Sequence, residues 1–225
     1  MPGERSPMIV VQHKDSTRAL LFIFFWLALA TDDSVNAQPP EQPAADALWT
    51  IAYSPSMPHA LSLQGRKYYF DFPTSADGIH YVTRPAPVVR LGETIKMVFS
   101  LEGRGKLVPS EGNPPARIRI FIQRRGDRLS AKEPYKRWWS LAHVQLVSPG
   151  TFTLSAKIEP RHWSSVFGKI GSEQPREFAD CVANLEHVGF TFGGDFAGHG
   201  VYVVNGAVRL VLEEYSVGLN RSIAQ

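Results

Sequence analysis

One cysteine, Cys181, stands in the 225 residues, so no intrachain disulfide can form and the fold must be held by packing. Long apolar runs are missing too. The longest, Ala19–Ala30 (ALLFIFFWLALA), has 12 residues, against the about 20 that a membrane-spanning helix needs. Charge of one sign is scarce: 24 Lys and Arg against 21 Asp and Glu give a formal +3. That scattered excess lacks the clustered basic face of a nucleic-acid binder. Several catalytic signatures are absent as well, among them HExxH, GxSxG, the P-loop, CxxC and the EF-hand loop.

What is present begins with a targeting pattern. Lys14 and Arg18 precede the apolar run, and Val35-Asn36-Ala37 offers small residues where a signal peptidase cuts; Ala28-Leu29-Ala30 is a second candidate. Residues 1–37 therefore read as a signal peptide, with an uncleaved anchor as the other reading. Removing them leaves 21 basic and 17 acidic residues. Residues 38–47 (QPPEQPAADA) form a Pro/Ala-rich linker, 48–218 a single domain, and 219–225 a tail. The expected location is periplasmic or secreted, with no membrane span once the signal is cleaved.

Within the domain, period-two alternation dominates. Leu48–Tyr53 makes a first short strand, Arg66–Phe72 and Ile79–Thr83 two more. Thr94–Leu101 turns Ile95, Met97, Phe99 and Leu101 inward, and Leu107–Pro115, with three prolines, reads as a loop. Arg117–Arg124 alternates strictly: Ile118, Ile120 and Ile122 face a core while Arg117, Arg119, Phe121 and Gln123 face away. Lys136–Val147 is its return partner, and Thr151–Ile158 follows. Pro175–Leu185 is the one helical segment, with Pro near its start and Phe178, Cys181, Val182 and Leu185 at helical spacing. Cys181 there is read as a small buried apolar residue. Near the end, Asn205-Gly206 between two apolar runs predicts a type I′ hairpin. Nine or ten short strands with one helix near 175–185 predict an all-β fold, an antiparallel β-sandwich of the jelly-roll kind.

Chemistry-bearing residues are few. Glu213 and Glu214 are adjacent on a strand and so are expected on opposite faces, not as a catalytic pair. The six histidines after Ala37 show no metal-ligand spacing. Asp195–His199 reads as a polar turn before it reads as a cation site, and Arg125-Gly126-Asp127 as hairpin-turn chemistry. Asn220-Arg221-Ser222 matches a glycosylation acceptor in the tail. Trp138 and Trp139, adjacent on a strand, send one ring inward and one outward, next to the outward Arg119 and Gln123. Tyr69 and His80 are expected to join that face. An aromatic plane beside planar hydrogen-bonding groups suits a pyranose ring, whose C–H face stacks while its hydroxyls find donors and acceptors. The alternative is packing, with that sheet face covered by the loop carrying Trp163. An exposed indole in a groove with Arg119 and Gln123 favours a site; occluded indoles favour packing.

The run GFTFGGDFAGHGVYVVNGAVRLVLEEYSV, with YKRWWS, GTFTLSAKI and RHWSSVFGK before it, resembles the carbohydrate-binding-module jelly rolls of the galactose-binding-like class. The resemblance implies sugar binding on a sheet face or at loop tips, no organic cofactor, and often a structural calcium. Three functions follow in order: an exported, non-catalytic binder of a glycan or polysaccharide; a jelly-roll glycoside hydrolase or polysaccharide lyase; and a structural or assembly protein of the envelope.

Overall fold

A computed structural model describes residues 49–219. The signal segment, the Pro/Ala-rich linker and the acceptor Asn220 lie outside the described residues. Eleven strands and one α-helix are present: β1 (Thr50–Ala52), β2 (Ser62–Gln64), β3 (Lys67–Asp71), β4 (Tyr81–Pro85), β5 (Thr94–Pro109), β6 (Arg117–Arg124), β7 (Arg137–Gln145), β8 (Gly150–Lys157), β9 (Trp163–Ser164), α1 (Pro175–Ala183), β10 (Leu185–Gly193) and β11 (Val201–Gly218). Among the described residues no helix is long and apolar enough to cross a membrane.

The strands form two antiparallel sheets. The six-stranded sheet has the order β1-β4-β10-β6-β7-β9, the five-stranded sheet the order β2-β3-β11-β5-β8. Apart from the short β1, β2 and β9, the chain passes from β3 in the five-stranded sheet to β4 in the six-stranded one. It then returns for β5, crosses for β6 and β7, and alternates again through β8, β10 and β11. That wrapping is a jelly roll. The period-two residues of β5 and β6 supply the dry layer: Ile95, Met97, Phe99, Ile118, Ile120 and Ile122 are buried, together with Phe190 and Phe192 of β10. Each such side chain contributes about 1.5–3 kcal/mol by leaving water.

Helix α1 begins at a proline whose missing N–H costs nothing there. It lays Phe178, Cys181 and Val182 into the core, with the Phe178 ring edge-on to Trp138 at 5.3 Å. Burial pushes the Cys181 thiol far above its ordinary value, as befits an apolar filler. The helix ends at Ala183, and Leu185 opens β10 instead of closing the helix.

Three local expectations are corrected. Asn205-Gly206 makes no hairpin: β11 runs unbroken through it, and the pairing with β5 slips between Val204 and Ala207. Positive φ at Asn205 (57°) and Gly206 (147°) serves a β-bulge, which like a I′ turn draws on residues that tolerate φ > 0. A Cβ on Gly206 would collide with the Arg104 carbonyl oxygen of β5. The span Leu107–Pro115 is not all loop, since β5 continues to Pro109 against Val201. A second bulge between Leu212 and Glu214 upsets the alternation, so Glu213 and Glu214 share the outer face of the five-stranded sheet. There Glu213 meets Lys67 at 2.5 Å and Glu214 meets Lys96 at 2.9 Å.

Candidate functional site

The outer face of the six-stranded sheet carries a hollow. Its floor is aromatic. Tyr81 of β4, Phe121 of β6 and Trp139 of β7 form a small second core, separate from the main one. Tyr81 lies 5.1 Å from Phe121, and Phe121 6.0 Å from Trp139. Burial pushes the Tyr81 phenol up to about 12.

Three loops stand around this floor and leave a groove of about 770 Å³. The β6–β7 loop contributes Leu129 and Ala131, the segment after β9 contributes Ser165–Gly168, and the β10–β11 crossover contributes Asp195–His199. The first loop is pinned by Asp127. Its carboxylate accepts from Arg137 at 2.7 Å, from Gln123 at 3.1 Å and from the Leu129 main chain at 3.1 Å. The second is a tight turn, with Gly168 N–H donating to Ser165 O at 3.0 Å and Ser165 N–H to Lys169 O at 2.9 Å. In the third, Arg117 pairs with Asp195 at 3.0 Å, and the ring nitrogens of His80 lie 2.8 Å from Gly198 O and 2.7 Å from Asp77 O. Asn113 and Arg117 hold the Asp195 carboxyl below the usual carboxylate range.

The loops present large rings to water. Tyr53 is 58 % exposed, Phe167 68 % and Phe196 64 %, and all three line the groove. Tyr53 also packs edge-on to Tyr81 at 6.3 Å and donates its hydroxyl to Arg128 O at 3.2 Å. Tyr53 and Leu129 hold φ of 58° and 55°, a left-handed backbone that costs bulky residues about 1–3 kcal/mol. Two of the three non-glycine residues in that region thus line this groove.

The residues singled out from sequence separate. Trp139 does face outward on the groove floor, but it is only 6 % exposed. Trp138 points into the main core, its Nε1 donating to Tyr135 O at 3.0 Å, and is corrected from candidate to packing residue. Trp49 and Trp163 are buried as well, so among the described residues no indole offers an open platform, and for the tryptophans the outcome is the packing alternative. Trp163 does not cover the outer face; it sits in the core beside Phe178. Arg119 and His80 line the groove as expected. Gln123 does not: it is spent on Asp127 beneath the loop. Tyr69 belongs to the other sheet, where the Arg209 guanidinium lies 4.3 Å over its ring. The crossover between sheets separates Tyr69 from His80, since β3 lies in the five-stranded sheet and His80 immediately precedes β4 of the six-stranded one. Asp127 of the Arg-Gly-Asp tripeptide has a fully covered side chain, as turn chemistry requires.

Sequence reasoning missed Tyr53, Phe167 and Phe196. The signal for the last two was an aromatic flanked by turn residues, in Ser165-Val166-Phe167-Gly168 and Gly194-Asp195-Phe196-Ala197. Among the described residues no group of three or more His, Cys, Asp or Glu side chains could hold a metal ion.

No family model matches the chain, and no curated protein matches it. Among solved structures, a protein described as the xylan-binding module CBM15 matches with 18 % identity over 76 % of this chain and 94 % of that one, at a TM-score of 0.42. A likeness at that distance decides nothing about ligand or site. What the chain's own geometry defines is a jelly roll with an aromatic groove on the outer face of one sheet.

Proposed function

We propose that this chain is an exported, non-catalytic carbohydrate-binding domain whose ligand lies in the groove of the six-stranded sheet. The observation that carries the reading is the ring of exposed aromatics, Tyr53, Phe167 and Phe196, around an open groove with an aromatic floor. Solvated rings on braced loops around a concavity are what a pyranose C–H face stacks on. Polar side chains between them, Arg119 and Ser165 included, give hydroxyls their partners. The platform is therefore the loop rings, with Trp139 beneath them in place of the exposed indole.

The non-catalytic part rests on Asp195. Glycoside hydrolysis needs a carboxylic acid with a raised pKa to protonate the leaving group. Asp195, the carboxylate among the groove's lining residues, is instead held ionised by Asn113 and Arg117. Export, to the periplasm or beyond, follows from the Ala19–Ala30 run and the cleavage pattern after it. Affinity electrophoresis through gels carrying neutral polysaccharides tests the binding reading. Retardation lost in the Phe167→Ala, Phe196→Ala double variant, with unchanged thermal unfolding, supports it. Unaltered retardation, or polysaccharide turnover by the purified protein, overturns it.

A further inference from the structure

The groove is richer in donors than a neutral sugar requires. Its charged side chains mostly cancel locally: Arg137 with Asp127 at 2.7 Å and Arg117 with Asp195 at 3.0 Å. Arg119 is the exception. Among the described residues it has no carboxylate partner; its Nη1 donates only to the main-chain oxygens of Ser140 at 3.2 Å and Leu141 at 3.4 Å. It is half-buried on the groove wall, next along the sheet from the Trp139 floor. Burial foremost, and Arg117 beside it, pull its guanidinium below the ordinary value, so a charge is held there at a cost.

Three further donors line the same groove without a partner. Trp139 Nε1, Arg137 Nε and Ser165 Oγ make no hydrogen bond, and each belongs to a side chain more than nine-tenths buried. Buried polar atoms are normally satisfied, and an unmade bond costs about 1–3 kcal/mol. Trp Nε1–H and the Arg nitrogens only donate, so what they await is an acceptor. A guanidinium with a free edge fits a planar carboxylate, with two parallel charge-assisted bonds.

We propose that the Arg119 end of the groove takes the carboxylate of a uronic-acid residue, so that the ligand is an acidic polysaccharide. This rests on the carbohydrate-binding reading and sharpens it. Arg119 supplies the charge, and Phe167 and Phe196, on two of the groove's loops, stack sugar rings.

The experiment compares polygalacturonate with the same polymer after its carboxyls are reduced to alcohols, and with dextran sulfate, using the full chain at low and high salt. Polygalacturonate is expected to bind about tenfold more tightly than its reduced form at low salt, a difference of about 1.4 kcal/mol that shrinks as salt screens it. Arg119→Gln is expected to remove that difference, so that the variant binds the acidic and the reduced polymer alike. Arg119→Lys, which keeps a positive charge but not the planar two-bond fork, is expected to lose part of that difference and keeps the test alive should Arg119→Gln misfold. Equal affinity for acidic and reduced polymers overturns the uronate assignment and leaves the carbohydrate reading standing. Equal affinity for dextran sulfate overturns carboxylate recognition in favour of general polyanion binding. Retention of none of the polymers overturns both readings.

Discussion

Arg137 and Asp127 form an ion pair whose side chains are 5 % and 0 % exposed, with 2.7 Å between Nη1 and Oδ1. The pair joins a strand to the loop that walls the groove, and Gln123 and the Leu129 main chain complete the carboxylate's shell. Removing one partner of such a pair strands the other charge, which costs about 3–5 kcal/mol. Asp127→Asn is therefore expected to lower urea-unfolding stability by that order. The conservative replacement Gln123→Glu, which adds a charge against Asp127, is expected to destabilise as well. Unchanged stability in Asp127→Asn would show that the loop is held by other means.

Tyr81 predicts an alkaline limit. Burial disfavours its phenolate and pushes the phenol up from an ordinary 10.0 to about 12. The native state thus binds the proton more tightly than the unfolded chain between those values. Its contribution is complete below pH 10 and is lost as pH rises toward 12, a decline of about 2–3 kcal/mol. Tyr215, also raised by burial, steepens the same limb. Chemical denaturation at pH 8 to 12 should show the decline, and Tyr81→Phe should make it shallower. A pH-independent midpoint across that range would contradict the burial of the hydroxyl.

The parts of the fold legible in sequence are those where period-two alternation is uninterrupted. β5 up to Leu101, β6 and β8 present their inward rows as read, because a pleated strand leaves no other choice once one face is dry. Reading failed where a bulge inserts a residue. The Asn205-Gly206 pair and the Glu213-Glu214 pair both sit at register shifts of β11, and neither composition nor spacing separates a bulge from a turn that needs the same φ. The site was half legible. Arg119 and Trp139 fall on one face because β6 and β7 share a sheet, and His80, just ahead of β4, joins them, whereas Tyr69 leaves with β3 for the other sheet. Tyr53, Phe167 and Phe196 lie on loops, whose positions depend on tertiary bonds such as Arg117–Asp195 that local pattern does not contain.

The β11 bulge sets up a paired test. Asn205 tolerates its positive φ through its short polar side chain, so Asn205→Ala should cost about 1 kcal/mol. Gly206→Ala should cost more, because its Cβ meets the backbone carbonyl of Arg104, which has no rotamer to move. Equilibrium unfolding in urea ranks the two. The reverse order would mean that the ribbon of β5 and β11 separates more easily than its pairing suggests.

Gly198 ties the fold to the groove. Its φ is +79°, and a Cβ there would collide with the Tyr81 hydroxyl oxygen, so the crossover can lie over Tyr81 only with glycine at this position. Its carbonyl and N–H are both engaged, the first 2.8 Å from His80 Nδ1 and the second donating to Phe192 O at 3.0 Å. Gly198→Ala must lift the loop off Tyr81, and Phe196, two residues earlier, moves with it. The expected result is faster amide exchange across 194–200, a stability loss of about 1–3 kcal/mol, and weaker polysaccharide retention. Double substitution with Tyr81→Phe removes the colliding oxygen but keeps the ring carbon 2.5 Å from the added Cβ, so it should recover only a small part of the stability and none of the φ penalty. If Gly198→Ala left exchange and retention untouched, the braced loop would have no part in presenting Phe196 to a ligand.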